Sequence, residues 1–463
     1  MAAMKNTFNH DISKRATLII VVMTSFLTPF MHASVNIALP SIGKEFALDA
    51  VVLGWVATSF SLAVAMFLVP FGRIADISGR KRIFIYGIVI YTASSLLSAI
   101  STSAAMLISS RVLQGIGGAM TFGTSVAIIT SVFPPGERGK ALGIYVASVY
   151  IGLSVGPPFG GFLTHYFGWR YIFLATVPVG LAVIATVLWK LKGEWVEAKG
   201  EKFDVPGSII YSLALAAIMY GFSLVPAISG AWLIIIGVLG ILAFIWWEMR
   251  VKSPVLNMDV FKKNTTFLFS NLAALINYCA TSAVGFLLSL YLQYIKGFDP
   301  QHAGLILISQ PIVMAILSPV AGRLSDRIEP RIVASVGMAL TTVGLVLLSF
   351  LNRNTGLGFI LATLVIMGLG FALFSSPNTN AIMGAVDKKF LGVASGTVGT
   401  MRVIGQMLSL GTAMLLFSIY IGRVQITPEY YSLFLKSAKT AFIIFAVLCL
   451  GGVFASMARG KTR

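Results

Sequence analysis

GIYVASVYIGLSVGPPFGG, residues 143–161, sets five glycines and two adjacent prolines among mostly apolar residues. In water both residue types weaken a helix. Ser148, Gly152, Gly156 and Gly160 recur every fourth position, so on a helix they form one stripe of small side chains. Within a bilayer such a stripe is useful. Lipid supplies no hydrophobic force between helices, and close backbone approach supplies packing in its place. Pro157 and Pro158 remove backbone donors and bend the helix, which neighbouring spans can tolerate. The stretch also contains Gly152-Leu153-Ser154-Val155-Gly156, a formal G-x-S-x-G match. A nucleophile elbow needs a strand–turn–helix setting with a histidine and a carboxylate. No carboxylate falls near the middle of any apolar run, so hydrolysis at Ser154 is rejected. The stretch reads as a bent, tightly packed membrane helix.

The whole chain agrees. Of 463 residues, 57% are hydrophobic and 11% charged, and mean hydropathy is +0.90. That is too little polar surface for a soluble domain, and the class is an all-α polytopic membrane protein. The formal net charge of +18 does not make a nucleic-acid binder, because the charges sit in short clusters between apolar runs. Cys279 and Cys449 fall inside apolar runs and read as packing residues. No metal site, cofactor or phosphate-binding loop is expected. Residues 1–16 are polar, and the apolar run after them reaches the ~20 residues that span a bilayer, so it is read as an uncleaved first span.

Fourteen runs of spanning length follow one another from 17–39 to 438–457. With both termini in the cytoplasm, most of the 34 basic residues fall on that side, as the positive-inside rule requires. An internal repeat refines the count. PFGRIAD at 70–76 is answered by PVAGRLSD at 319–326, and Gly139–Gly143 by Gly392–Gly396. The expected architecture is therefore a six-helix bundle at 1–189, a cytoplasmic linker at 190–204 and an inserted helix pair at 205–248. A second linker at 249–266 and a six-helix bundle at 267–463 complete it. Parallel repeats with substrate handled between them are transporter architecture.

Gly72-Arg73-Ile74-Ala75-Asp76, continuing to Gly79-Arg80-Lys81-Arg82, resembles the loop signature of the major facilitator superfamily. Gly72 would let a neighbouring helix approach, and Asp76 would pair with a basic residue or a helix end. The resemblance implies a cytoplasmic latch of Gly72, Arg73, Asp76 and Arg80, echoed by Gly322, Arg323, Asp326 and Arg327. The second copy departs from the pattern, with Glu329 and Pro330 where Gly79 and Arg80 stand. Arg111-Val-Leu-Gln114-Gly-Ile-Gly-Gly118 resembles the family's fourth-span motif, which implies a part for Arg111 in proton movement or substrate binding. An arginine snorkelling to the nearer surface is the alternative. Gly143, Gly152, Gly156, Pro157, Gly160 and Gly161 reproduce the exporters' fifth-span signature. Gly168–Phe173, Ala303–Leu305 and the run from Gly392 through Thr400, Arg402 and Gly405 resemble the fourteen-span drug:proton antiporters.

One departure matters. The branch's first-span motif ends here in Val35–Pro40, but where it usually begins with a membrane-embedded aspartate this chain has Met31. All sixteen acidic residues fall in tails, loops or span ends. His32 is the one histidine well inside a span and is the candidate for proton exchange. A histidine hydrogen-bonded within the bundle is the alternative. Arg111 and Arg402 are the buried fixed charges, which favours a neutral, zwitterionic or anionic amphiphile. Asn36, Gln114, Asn271, Asn277, Gln310, Asn378, Asn380 and Gln406 can line a path or tie helices together. The expected function is export of small amphiphiles by alternating access, coupled to proton influx, by a monomer in the cytoplasmic membrane. A specific metabolite exporter or uniporter is the second reading, and a non-transporting sensor the third.

Overall fold

The computed structural model describes residues 2–191, 193–251, 253–256, 261, 264–325, 327–386 and 391–460, with side chains from 14 onward except at 135, 136, 139, 391 and 392. Fourteen helices among them are long and apolar enough to cross a membrane. They are α1 Ala2–Glu45, α2 Ala50–Ser78, α3 Arg80–Ala99, α4 Ala104–Val132 and α5 Pro135–Tyr166. Next come α6 Arg170–Lys190, α7 Val205–Leu224, α8 Ile228–Glu248 and α9 Thr265–Leu290. The span α10 runs Pro300–Ser325, interrupted at Ile308. The last four are α11 Pro330–Ser349, α12 Leu357–Gly384, α13 Leu391–Tyr420 and α14 Tyr431–Ala458.

Polar residues mark where the helices begin. Asp49, Ser103, Asp204, Asn264 and Asp299 each accept a hydrogen bond from a first-turn N–H. Gly79 alone separates α2 from α3, at a φ of +117° that favours glycine.

The packing repeats itself. In the first bundle α1 lies on α5 and α6, α4 on α2 and α3, and α3 on α6; α9 to α14 repeat this, with α9 on α13 and α14, α12 on α10 and α11, and α11 on α14. The bundles meet along two seams related by the repeat, α5 on α10 and α2 on α13. The α7–α8 hairpin rests through α7 on α2 and α13. Tyr211 and Ser212 of α7 donate to the carbonyls of Ala65 and Met66, both at 2.9 Å.

The two ends of the molecule differ. At the end away from the basic loops, the Ala50 N–H reaches the Val424 carbonyl at 2.9 Å, and Gln425 reaches that of Ala47 at 3.0 Å. Ser289 and Gln293 donate to the carbonyls of Asn36 and Ile37 at 2.7 and 2.9 Å. One apolar cluster runs through both bundles there, from Ile37, Leu53 and Trp169 to Leu287 and Phe417. Toward the basic end, a Cβ on Gly72 of α2, Gly143 of α5, or Gly396 or Gly399 of α13 would meet nothing within 4 Å. The bundles are tied together at the first end, while at the basic end these glycines face unfilled space.

Candidate functional site: a central cavity and its two ends

The glycine stripe of α5 now has its partner. A Cβ on Gly152, Gly156 or Gly160 would lie 2.6–2.7 Å from Phe26, Ala33 or Ser34 of α1. Ser34 donates to the Gly156 carbonyl at 2.9 Å, and Ser25 bonds Ser148. The motif's other face packs across the seam. A Cβ on Gly161 would lie 2.3 Å from the Pro300 carbonyl oxygen, and one on Gly304 2.2 Å from that of Pro157. α5 runs unbroken through both prolines. Ser154 donates to its own helix, to the Tyr150 carbonyl at 2.8 Å.

Held by this stripe, α1 presents His32 to a cavity between the bundles with an empty volume of about 650 Å³, its mouth included. Phe60, Tyr150, Tyr278, Phe371, Arg402 and Gln406 also line it. Arg402 and Gln406 are one helical turn apart on α13 and so share a face. Gly405 between them lets α9 close in, since a Cβ there would lie 2.8 Å from the Leu275 carbonyl oxygen. That approach sets the Tyr278 ring 5.2 Å from the Arg402 guanidinium carbon. Tyr150 of α5 bonds Ser375 of α12 at 2.6 Å, spanning the cavity from bundle to bundle. Nε of Arg402 has no hydrogen-bond partner.

Arg111 is placed otherwise than expected. It is 0% exposed, which excludes snorkelling, and it is absent from the cavity wall. It donates to Gln114 at 2.6 Å, and Gln114 donates to Ser95 at 2.7 Å. Its guanidinium lies 4.6 Å from the centroid of Phe60, the ring that stands between it and the cavity. The glycines after it explain the burial: a Cβ on Gly115 or Gly117 would lie within 2.6 Å of backbone of α2 or α3.

Gln114 is off the cavity wall with Arg111, and so are Asn36, Asn271, Asn277, Gln310, Asn378 and Asn380. Asn36 sits at the closed end, its carbonyl bonded by Ser289. Gln310 is half-buried on α10 beside Gly368. Asn380 donates to Ser325 at 2.9 Å. Asn378 donates to the Ser270 carbonyl at 3.1 Å and accepts from Arg459 at 2.7 Å. Sequence reasoning missed Arg459, which it counted among exposed tail charges; it is 0% exposed and also bonds Ser270 and Ser456.

At the basic end, the first latch closes on its own bundle. Asp76 pairs with Arg80 at 2.7 Å, and Arg80 pairs with Glu197 at 2.7 Å and donates to Ser131 at 2.6 Å. Arg73 pairs with Glu201, and Glu194 accepts from the Lys81 and Arg82 N–H groups. The expected linker 190–204 is thus a strap fastened to the α2–α3 loop by three glutamates. α4 approaches the Gly72 backbone, where a Cβ on Gly123 would lie 3.5 Å from the Gly72 nitrogen, but nothing lies within 4 Å of where a Cβ of Gly72 itself would be. In the second copy, a Cβ on Gly322 would lie 2.9 Å from Ser376, and Arg323 and Arg327 are exposed. Asp326 lies outside the described residues.

At the closed end, Asp299 accepts from the His302 N–H at 2.9 Å and bonds its ring at 2.6 Å, while His165 of α5 stands 3.9 Å away across the seam. Burial works against the ionised Asp299, but the His302 contacts and the charges of both imidazoles hold its carboxyl below the usual range.

Comparison with known proteins supports this arrangement. The chain matches the Major Facilitator Superfamily over residues 21–247 and 271–462. It is 28% identical to the riboflavin transporter RibZ of Clostridioides difficile, across 95% of this chain and 96% of that protein. It is 30% identical to the multidrug resistance protein Stp of Mycobacterium tuberculosis, across 86% of this chain and 74% of that one. The cephamycin export protein CmcT of Amycolatopsis lactamdurans is also 30% identical, across 86% and 84%. Among solved structures, a bacterial homologue of the lysosomal transporter Spinster, inward-facing and unoccupied, superposes with a TM-score of 0.67 at 18% identity, over 97% and 98% of the two chains. Repeat, seams, cavity and relatives converge: the chain belongs to the Major Facilitator Superfamily, in its fourteen-span drug-efflux branch.

Proposed function

We propose that this protein exports small amphiphilic molecules across the cytoplasmic membrane by alternating access, driven by proton influx. The reading rests on one observation, the central cavity between two bundles that are tied together at one end, with His32 and Arg402 in its wall; we take the other end to be the parted one. The excess of Lys and Arg assigns the parted end to the cytoplasm, with both termini there, so the cavity is in its inward-facing state. The domain division at 190–204 and 249–266 follows, with the strap and latch steadying the first bundle as it rocks. His32 carries the exchanged proton because no carboxylate lines the cavity among the described residues. Arg111 acts from behind Phe60. Relatives named for antibiotic export and multidrug resistance support the export direction.

Transport in proteoliposomes under an imposed pH gradient tests this. Wild-type protein is expected to accumulate an amphiphilic dye against its gradient, and His32→Ala to retain only downhill movement. Uphill transport that survives His32→Ala removes the histidine from coupling. A second reading is export or facilitated passage of one metabolite without protons. The riboflavin transporter that aligns across 95% of the chain favours it. Saturable riboflavin movement indifferent to the pH gradient would select it.

A further inference from the structure

We infer that the central cavity is a site for flat aromatic organic anions, and that transport consequently moves net charge. The inference rests on the export reading above and names its substrate class. Arg402 is half-buried in the cavity wall, and no carboxylate lines that wall among the described residues. Its neighbours are neutral. The Tyr278 ring lies 5.2 Å away, and Tyr145 and Tyr150 stand close. Nε is left without a partner. A second unpaired guanidinium, Arg111, sits behind Phe60, 4.6 Å from that ring's centroid. Two cations bordering one low-dielectric space, without a counter-ion, give it a positive potential.

Such a charge is costly until something neutralises it. A carboxylate, sulfonate or enolate on the ligand supplies both the missing acceptor and the missing charge. Phe60, Tyr150, Tyr278 and Phe371 supply ring faces for an aromatic body. A cation would meet repulsion at the same place.

The charge balance separates the two cases. Exchange of one cation outward for one proton inward moves no net charge. Exchange of one anion outward for one proton inward moves two charges in the same electrical sense, and an anion leaving alone moves one. An inside-negative potential therefore drives anion export, worth about 50-fold accumulation per charge for about 100 mV.

The test uses full-length protein in liposomes with three probes of similar shape: naphthalenesulfonate, naphthol and N-methylquinolinium. A potassium gradient with valinomycin sets an inside-positive potential, with equal pH on both sides. The expected result is concentrative uptake of naphthalenesulfonate, reversed by reversing the potential. Arg402→Gln should lose about tenfold or more of it, and Arg402→Lys should recover part. Circular dichroism melting of each variant confirms that it folds. Transport of N-methylquinolinium but not of naphthalenesulfonate overturns the anion assignment and leaves export standing. Wild-type uptake of naphthalenesulfonate by a folded Arg402→Gln overturns the role of Arg402. If no probe moves under either a potential or a pH gradient, the export reading itself fails.

Discussion

Arg80 shows how much one side chain can organise. It is 5% exposed and donates to Asp76, Ser131, Glu197 and the Ala127 carbonyl. These groups belong to α2, α4 and the strap, so one guanidinium ties three segments. Replacing Arg80 with Gln should cost about 1–3 kcal/mol, because several bonds to a charged donor are lost together. Glu197→Gln should cost about 1 kcal/mol or less, since Glu197 is mostly exposed. Thermal unfolding in detergent measures both. Limited proteolysis of 190–204 should quicken in each variant. The sequence displayed Arg80 and Asp76 inside a recognisable motif, but the second acidic partner, Glu197, lay 117 residues away, in a loop whose Glu and Lys content read only as a linker.

At the scale of the element, α5 carries two kinds of glycine. A Cβ on Gly161 would press to 2.3 Å from the Pro300 carbonyl oxygen, whereas one on Gly143 would meet nothing within 4 Å. Gly161→Ala should therefore destabilise the closed seam by about 1–3 kcal/mol, and Gly143→Ala should leave this state within about 0.5 kcal/mol. Melting curves of the two variants make the comparison. Helix existence and the small-residue stripe were plain in the sequence, because hydropathy and four-residue spacing are local properties. The stripe's partners, α1 for Gly152 to Gly160 and α10 for Gly161, were not, because sequence spacing identifies a face without naming what covers it. The cavity residues divide the same way. His32 and Arg402 stood out as charges or titratable groups inside spans. Tyr150, Tyr278 and Phe371 could not be told from the many aromatic residues that face lipid or core. Asn378 and Asn380, expected along the path, instead satisfy Arg459 and Ser325.

For the molecule as a whole, the repeat seen in two short motifs extends to the pairing of every helix in the two bundles. What the repeat could not give is the state, because both states of a rocking transporter use the same sequence. The closed end offers a handle on it. Asp299 bonds His302 and faces His165 across the seam. Burial works against its charge, yet its carboxyl is held below the usual 3.8, chiefly by the His302 contacts within its own helix turn and least by His165 across the seam. The stability this contributes is complete above the usual value and is lost as pH falls through the lowered one. Asp299→Asn should loosen this end, because it removes the charge that faces His165 across the seam. Distances between spin labels on α5 and α10 would report it, and identical distance distributions for the two proteins would refute it.

The α7–α8 hairpin makes the two seams unequal toward their surroundings. It roofs the flank where α2 meets α13, whereas the flank where α5 meets α10 shows lipid a bare wall that includes Ile151, Phe159, Ile316 and Val320. A solute arriving sideways from the bilayer would therefore meet a bare seam on one flank and a roofed one on the other.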